Sequence, residues 1–374
     1  MASVTGCTFF KVVRYRNSDI DDYRLFPKRE LTASSRPFRF EEGGQSTSGA
    51  GGGSEAEDLS GFLSAHDTTA FLVVHDDAIL FEEYYNGGAV DRPTFAFSMT
   101  KSFTSVLVGC AVSDGIIESV DQPVTDYVPE LASAGFDEVK IEHLLQMTSG
   151  MQYRESGSPF RQHPYFYYGD DLEQRLLEQK LAAPPGTEFG YKSGENQLLG
   201  LVLDRALGEE TITHYMQRRV WDPLGMEFGG SWAVDHEPGG LEKTFCCLSM
   251  TARDIAKMGR LYKNDGVWEG RRIVPAEWVR HSQILDTSEG SAAHFQYHWW
   301  IPFADYPAFM ASGHRGQYLY VNPELDLIIV RLGWSRGRLS HAEWRRFLYD
   351  LEARLGFRPA DPAGSSGPVD LIAR

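Results

Sequence analysis

Ser98 and Lys101 are the first residues whose types and spacing could carry chemistry, in the segment Ser98-Met99-Thr100-Lys101. A spacing of three on a helix places both side chains on one face, about one turn apart. A serine hydroxyl is a weak nucleophile near neutral pH, and a buried lysine that has lost proton affinity can serve as its base. The N–H groups at the start of such a helix also suit an oxyanion. Taken alone, the pattern is more typical of a helix-capping serine followed by a solvated lysine.

Tyr191 is the second candidate, and it follows a turn-rich loop that contains two prolines and two glycines. Such a loop could direct the phenol into a cleft. Near a protonated lysine the pKa of Tyr191 is expected to fall, which would let it shuttle a proton as base and then as acid. The alternative is an aromatic side chain that only packs the loop.

The third candidate is the segment Ser312-Gly313-His314-Arg315-Gly316-Gln317, which precedes a predicted strand. Glycines at a strand edge permit the close approach of a substrate backbone. The N–H of Gln317 could then be a second oxyanion donor, opposite the N–H of Ser98. A plain hairpin turn is the alternative for this segment alone.

The elements that must position these residues follow from the hydrophobic periodicity. A β-hairpin is predicted at Phe71–His75 and Ala78–Tyr85, and a helix at Met99–Val112. The chain is predicted to be predominantly helical from about 120 to 285, with one of the helices at Ala252–Lys263. Strands return after 290, the first of them at Phe295–Ile301, and a closing helix follows at Ala342–Leu355. This order predicts an α/β unit with an inserted, mainly helical domain. The predicted limits are 1–54 for an N-terminal extension with a Gly/Ser-rich linker, 55–125 plus 290–360 for the α/β domain, 126–289 for the helical domain and 361–374 for a C-terminal tail.

Composition narrows the class of protein further. The 374 residues include 36 Lys and Arg against 52 Asp and Glu, a formal net charge of −16. Phosphate backbones and anionic lipids would repel such a chain, so we expect no nucleic-acid partner. The longest uncharged apolar stretches are far shorter than the roughly 18 residues of a membrane span, so we expect no span either. The first residues, 1–8, lack the apolar core of a secretory signal. The compartment stays open: cytoplasmic as written, or periplasmic or lipoprotein-anchored if a signal segment before Cys7 has been removed.

Together, the three candidate segments resemble the serine β-lactamase/penicillin-binding-protein superfamily, and within it the class C β-lactamase-like branch. That branch includes DD-peptidases, esterases and 6-aminohexanoate-oligomer hydrolases. The elements S-x-x-K, Y-x-[NS] and K/H-x-G occur in the family's order. The resemblance covers about residues 60–355, and further matching segments lie at 143–150, 185–187, 198–200, 223–226, 250–259 and 274–275.

The resemblance implies a β-lactamase/transpeptidase-like α/β (α+β) fold, in which an antiparallel sheet is flanked by helices. It also implies that Ser98 is the acylated nucleophile, Lys101 its proton acceptor and Tyr191 the acid/base that relays protons to the leaving group. The backbone N–H groups of Ser98 and Gln317 would form the oxyanion hole. The implied cycle is acylation and then hydrolysis by water, without a metal or cofactor.

The implied substrate-binding residues are Ser193, His314 and Gly316, and two of them depart from the β-lactamase pattern. His314 replaces a lysine that helps to hold a substrate carboxylate, and histidine is mostly neutral near pH 7. Anchoring of a carboxylate would therefore be weak unless Arg315 contributes. Ser193 replaces an asparagine. Both departures favour a small-molecule ester or linear amide as the substrate.

We therefore expect a serine hydrolase of the 6-aminohexanoate-oligomer or carboxylesterase type. A β-lactamase or a D-Ala-D-Ala carboxypeptidase is the alternative, and a catalytically silent binding module on the same fold is an alternative of another class. The aromatic segment at 151–170 is predicted to be a loop that either lines an acyl pocket or only packs. Two weaker patterns are a near-match to a nucleophile elbow at 229–233 and a His-x-x-x-His spacing at 294–298 that lacks the glutamate of zinc hydrolases.

Overall fold

The structure is a computed structural model that describes residues 4–15, 18–43, 54–158, 160–361 and 367–372. Its helices are α1 Val4–Arg14, α2 Ser54–Ala65, α3 Thr100–Ser113, α4 Ile141–Gln146, α5 Gln162–Tyr168, α6 Leu172–Leu177, α7 Ser193–Leu207, α8 Ile212–Met216, α9 Ala252–Lys263, α10 Ala276–His281 and α11 His341–Arg354. Its strands are β1 Lys28–Leu31, β2 Glu41–Glu42, β3 Thr68–His75, β4 Ala78–Tyr84, β5 Thr94–Phe95, β6 Gly230–Ala233, β7 Leu248–Met250, β8 Val267–Trp268, β9 Arg271–Arg272, β10 Phe295–Gln296, β11 Trp299–Trp300, β12 Phe309–Gly313, β13 Gln317–Asn322 and β14 Leu327–Gly333.

The main sheet has eight strands in the order β10-β11-β12-β13-β14-β3-β4-β2. Its pairs are antiparallel except β2 with β4, which run parallel. The pairing of β14 with β3 joins the end of the chain to its beginning. The fold is therefore a mixed α/β fold on an antiparallel sheet, as the sequence predicts.

Both faces of this sheet are buried, which explains the nearly continuous apolar runs in its central strands. Leu72 and Val74 belong to the core on one face, together with Ile255 of α9. Phe71 and Val73 point to the opposite face and share a second core with Trp344 of α11. The strand period of two thus sends alternate side chains of β3 to two different helical layers.

The sequence analysis did not predict a second sheet. In the described residues, this sheet has four short strands in the order β1-β6-β7-β5. Residues 126–289 were expected to be mainly helical, yet β6 and β7 lie within them. These strands have four and three residues and are buried throughout, so they show no polar alternation by which to recognise them. β5 belongs to this sheet and leads into the segment that carries Ser98.

Two further local expectations are wrong. Within the aromatic segment 151–170, which was expected as a loop, residues 162–168 form helix α5. The single strand expected at 295–301 is a hairpin of β10 and β11. Tyr297 and His298 form its two-residue turn with φ values of 45° and 66°. A turn of this kind usually carries glycine or asparagine, and here the signal is absent. The Gly/Ser-rich segment falls mostly outside the described residues, and the predicted domain limits stay a prediction.

Helix α3 runs through the interior, and its residues from Thr100 to Ala111 are buried. A helix that is enclosed on all sides can hold charged or polar groups only where the surroundings provide partners. Among the described helices, none is long and apolar enough to cross a bilayer.

Candidate active site

Ser98 lies in a short 3-10 turn, Phe97–Met99, between β5 and α3. The preceding residue, Phe97, has a φ of 47°, a left-handed conformation that is uncommon for a bulky side chain. Its ring is buried and packs edge-on against His314 at a centroid distance of 5.5 Å. This packing holds a sharp turn between strand and helix, and Ser98 is half-buried at its outer edge.

Lys101 lies on the first turn of α3, and its Nζ donates to Ser98 Oγ at 2.9 Å. A second donated bond, 2.8 Å long, reaches the backbone carbonyl of Phe245. The side chain is 1% exposed. Burial lowers the pKa of Lys101 to about 7, while the negative charge of Glu155 acts in the opposite direction. A substantial fraction of this amine is therefore neutral at neutral pH and can accept a proton from Ser98.

Tyr191 also lies close to Ser98: both residues line the same cavity, and the serine hydroxyl acts to lower the pKa of the phenol. Its ring stacks on Trp300 at 5.5 Å, and Lys101 Nζ lies 5.0 Å from the ring centroid. The expected fall in the pKa of Tyr191 is wrong: burial and then the charge of Glu155 raise this pKa well above its usual value. Since Lys101 itself loses charge on burial, it offers little stabilisation to a phenolate. Tyr191 therefore keeps its proton over the ordinary pH range.

The third segment packs against the turn that carries Ser98. Gly313 ends β12 and pairs with Gln317 at the start of β13. A Cβ on Gly313 would lie 2.2 Å from the carbonyl oxygen of Ala96, so only glycine permits this approach. The two backbone segments thus lie directly against each other. The assignment of the Ser98 and Gln317 N–H groups to an oxyanion hole remains a prediction.

Position 316 also requires glycine, and the reason is a contact within the protein, not the approach of a substrate. Its φ is 80°, and an added Cβ would lie 2.4 Å from a guanidinium nitrogen of Arg331. Arg331 is buried and donates to the carbonyl of Gly316 at 2.6 Å. The predicted contact of Gly316 with substrate stays a prediction.

His314 lines the cavities on both sides of Ser98. Desolvation and the positive charges of Arg315 and Arg336 lower the pKa of His314 to about 4. The guanidinium of Arg315 donates to the carbonyls of Ser18 and Trp334 at 2.6 Å and 2.7 Å. At neutral pH His314 is therefore uncharged, and Arg315 is committed to the backbone. Neither residue supplies the free cation that the lysine of a β-lactamase provides.

Two cavities of about 420 Å³ each meet at Ser98. The first, here called the acidic cavity, is lined by Glu155, His163, Ser193, Phe245 and Cys246 among others. The second, here called the aromatic cavity, is lined by Tyr191, Trp300, Arg345 and Ile372 among others. A bond at Ser98 Oγ would therefore have room for a substituent on each side.

Glu155 is a site residue that the sequence analysis missed. Its carboxylate accepts the backbone N–H of Ser193 and lies 3.0 Å from Nδ1 of His163. Burial would raise the pKa of Glu155, but His163, the charge of Lys101 and the Ser193 bond outweigh it and hold this pKa at about 2. Glu155 belongs to none of the sequence motifs identified above, so only its place in the fold reveals it.

The aromatic segment at 151–170 was expected either to line a pocket or only to pack, and its residues do both. Tyr167 and Tyr168 line the acidic cavity, whereas Phe166 is buried against Tyr153. The hydroxyls of Tyr167 and Tyr168 are held by Asp22 and by the carbonyl of Tyr15. The N-terminal extension thus braces the wall of the cavity.

The two weaker patterns find little support. Ser231, the serine of the near-match to a nucleophile elbow, is buried in β6 and hydrogen-bonds Ser249 Oγ at 2.8 Å. His298 is buried, and neither of its ring nitrogens has a partner in the part of the chain that the structure describes. His294 stacks on Trp300. Within the described ranges, no group of three or more His, Cys, Asp or Glu side chains is arranged to hold a metal ion.

Comparison with known proteins agrees with this fold. The sequence model of the Beta-lactamase family matches residues 64–348, about three quarters of the chain. The chain therefore belongs to the beta-lactamase family, within the serine β-lactamase/penicillin-binding-protein superfamily, and the resemblance seen in the sequence is confirmed.

Individual relatives lie in the branch that the sequence motifs indicate. The 6-aminohexanoate-dimer hydrolase of Paenarthrobacter ureafaciens is 29% identical over 275 residues, which cover 68% of this chain and 69% of the relative. A Bacillus anthracis protein provisionally named a 6-aminohexanoate-dimer hydrolase superposes with a TM-score of 0.78 at 23% identity, covering 92% of this chain and 95% of its own. A family VIII carboxylesterase superposes with a TM-score of 0.57 at 19% identity, covering 74% and 89%. The two structural likenesses show the fold alone.

Proposed function

We propose that this protein is a serine hydrolase that cleaves small esters or linear amides through a covalent acyl-enzyme on Ser98. The observation that carries the proposal is the 2.9 Å bond between Lys101 Nζ and Ser98 Oγ in a site where burial brings the pKa of Lys101 to about 7. A neutral amine within hydrogen-bond reach is what a serine nucleophile requires.

In the proposed cycle, Ser98, Lys101 and Tyr191 each take part in proton transfer. Ser98 Oγ attacks the substrate carbonyl carbon while its proton passes to Lys101 Nζ. The tetrahedral intermediate collapses, and Tyr191, which keeps its proton at neutral pH, delivers that proton to the leaving alcohol or amine. The proton on Lys101 Nζ then passes to the phenolate oxygen of Tyr191, so both side chains return to their starting states. In the second half of the cycle, water attacks the acyl carbon and gives a proton to Lys101 Nζ. The acyl–Oγ bond breaks, Ser98 Oγ takes that proton, and the carboxylic acid is released. Tyr191 acts first as an acid in this scheme, not as the phenolate base that the sequence-based hypothesis included.

The uncharged state of His314 supports an ester or linear amide over a β-lactam. β-Lactam antibiotics and D-Ala-D-Ala peptides carry a carboxylate close to the scissile bond, and the third motif here offers that group no cation. The relative named 6-aminohexanoate-dimer hydrolase points to linear amides of amino acids as the first substrates to test.

The test compares Ser98→Ala with a matched variant, Ser105→Ala. Ser105 lies on α3, the helix that follows Ser98, and its buried hydroxyl has no hydrogen-bond partner among the described residues. The substrates are a chromogenic short-chain ester, the 6-aminohexanoate dimer, a cephalosporin and a D-alanyl dipeptide. We expect Ser98→Ala to lower ester kcat/KM by about 10³-fold or more and Ser105→Ala to change it by about two-fold at most.

Intact-mass spectrometry with a serine-reactive phosphonate should add one adduct to the wild type and to Ser105→Ala but none to Ser98→Ala. Equal turnover by Ser98→Ala and the wild type would refute the assignment. Turnover of the cephalosporin or the dipeptide above that of the ester and the linear amide would favour the alternative β-lactamase or carboxypeptidase. Absence of any turnover and of any adduct would favour a silent binding module.

A further inference from the structure

Cys246 and Cys247 are adjacent in the sequence and are joined to each other by a disulfide. Both side chains are buried, at 4% and 0% exposure. A cross-link between neighbours closes no long loop, so the usual stabilising effect of a disulfide on the unfolded chain is small here. Its position beside the candidate site therefore requires another explanation.

The disulfide touches the site in two ways. The residue before it, Phe245, provides the carbonyl that accepts the bond from Lys101 Nζ at 2.8 Å. Cys246 itself forms part of the wall of the acidic cavity, together with Ser98 and Glu155. A shift of the Cys246 backbone would therefore also shift the adjacent Phe245 carbonyl, which accepts the hydrogen bond from Lys101, the proposed base.

The two cysteines are anchored unequally. The N–H of Cys247 donates to the carbonyl of Lys243 at 3.1 Å, and its carbonyl accepts the N–H of Ala233 in β6 at 3.0 Å. Cys246 donates to the same Lys243 carbonyl over a longer distance, 3.4 Å, and faces the cavity. When the S–S bond opens, two sulfurs that were bonded must separate to non-bonded contact, about 3.5 Å or more, in a packed interior. The adjustment falls on Cys246 and Phe245, because Cys247 is held by the sheet.

We propose that Cys246–Cys247 is a redox modification site, at which a small dithiol opens the disulfide and thereby displaces the Phe245 carbonyl that holds Lys101. This inference rests on the proposed function, in which Lys101 is the base for Ser98. Cys246 lines the acidic cavity, so a reductant that enters this cavity would approach the disulfide from there.

The chemistry of the step is ordinary thiol–disulfide exchange. One thiolate of the dithiol attacks Cys246 Sγ, the Cys246–Cys247 bond breaks, and Cys247 leaves as a thiolate. The second thiol of the reagent then displaces Cys246 from the mixed disulfide. The reagent is oxidised to its own disulfide, and its two protons end on Cys246 and Cys247. Oxidation by a disulfide reagent reverses the sequence.

The experiment uses the full chain, equilibrated in buffers of oxidised and reduced dithiothreitol. Intact mass reports the gain of two hydrogens, and alkylation followed by peptide mapping assigns them to Cys246 and Cys247. Ester kcat/KM and its pH profile are measured in each state. We expect the reduced enzyme to lose about ten-fold or more in kcat/KM, with a shifted acidic limb of the profile, because misplacement of a catalytic group by an ångström is that costly.

Two variants separate this effect from a general response to reductant. Cys247→Ser cannot form the bond and should behave like the reduced enzyme in both buffers. Cys110→Ala changes a buried free cysteine in α3, away from the disulfide, and this variant should respond to the reductant as the wild type does.

The inference is overturned if opening of the bond, seen by mass, leaves kcat/KM and the pH profile unchanged. It is overturned equally if both thiols are alkylated without prior reduction under oxidising conditions. Failure of the proposed function differs visibly, since turnover that depends on Ser98 would then be absent in both redox states.

Discussion

Lys101 Nζ lies 2.9 Å from Ser98 Oγ, although the two residues belong to different local structures. Ser98 is the middle residue of a 3-10 turn, and Lys101 lies in the first turn of the α-helix that follows. The contact is possible because the junction keeps a helical rotation across three residues. It places a buried amine and a half-buried hydroxyl on the side of the helix that faces the two cavities.

The first prediction concerns the pH dependence of ester hydrolysis. Below a pH of about 7 Lys101 is protonated and cannot accept the proton of Ser98, so kcat/KM should fall about ten-fold per pH unit there. The raised pKa of Tyr191 predicts that no alkaline limb appears below about pH 10. A pH–rate profile checks both limbs. An acidic limb near pH 4, with none near 7, would contradict the role of Lys101.

A second prediction uses Tyr191→Phe, which removes the hydroxyl and keeps the ring on Trp300. We expect kcat to fall by about 10²- to 10⁴-fold, the usual contribution of a general acid, while the melting temperature stays close to that of the wild type. The fall should be smaller for an ester with a phenol leaving group, which departs without a proton. Tyr127→Phe, outside the two cavities, serves as the control and should keep normal kinetics. An equal loss for both leaving groups would argue against proton donation by Tyr191.

The third prediction concerns Glu155, whose negative charge raises the pKa of Lys101. Glu155→Gln removes that charge and preserves an acceptor for the N–H of Ser193, so the acidic limb of the profile should move to lower pH. The sign follows because an ammonium loses proton affinity when a nearby anion is neutralised. Glu188→Gln, an exposed change on the loop before Tyr191, should leave the limb in place. A shift to higher pH would show that Glu155 acts through structure and not through its charge.

A fourth prediction tests the packing of the third motif. Gly316→Ala forces a Cβ against Arg331 at a φ of 80°, and we expect a loss of about 1–3 kcal/mol in the free energy of unfolding, with reduced activity. At Gly61 in α2, no described atom outside the helix's own backbone lies within 4 Å of an added Cβ, so Gly61→Ala should instead stabilise the protein by about 0.5–1 kcal/mol. Denaturant unfolding of both variants measures the difference. Equal stability of Gly316→Ala and the wild type would refute the steric argument.

Much of the fold can be predicted from local sequence. The hairpin of β3 and β4, helix α9 and the closing helix α11 agree with the elements predicted from the sequence. The two helices repeat apolar residues at helical spacing, and the two strands are short apolar runs on either side of an acidic turn. The strands β6 and β7, the hairpin turn at Tyr297 and His298, and helix α5 do not follow such a pattern. Their conformations depend on neighbours that are distant in the chain, and no local rule identifies them.

The candidate active site likewise has residues that the sequence identifies and features that only the folded structure shows. The amino-acid sequence alone is enough to select Ser98, Lys101 and Tyr191, since their types and spacing match a chemistry and a family. The Phe245 carbonyl, the Glu155 carboxylate and the lowering of the pKa of His314 to about 4 emerge only when the chain is folded. Their effects on proton affinity come from burial and from charges brought close by tertiary packing, and neither quantity is a property of a short segment.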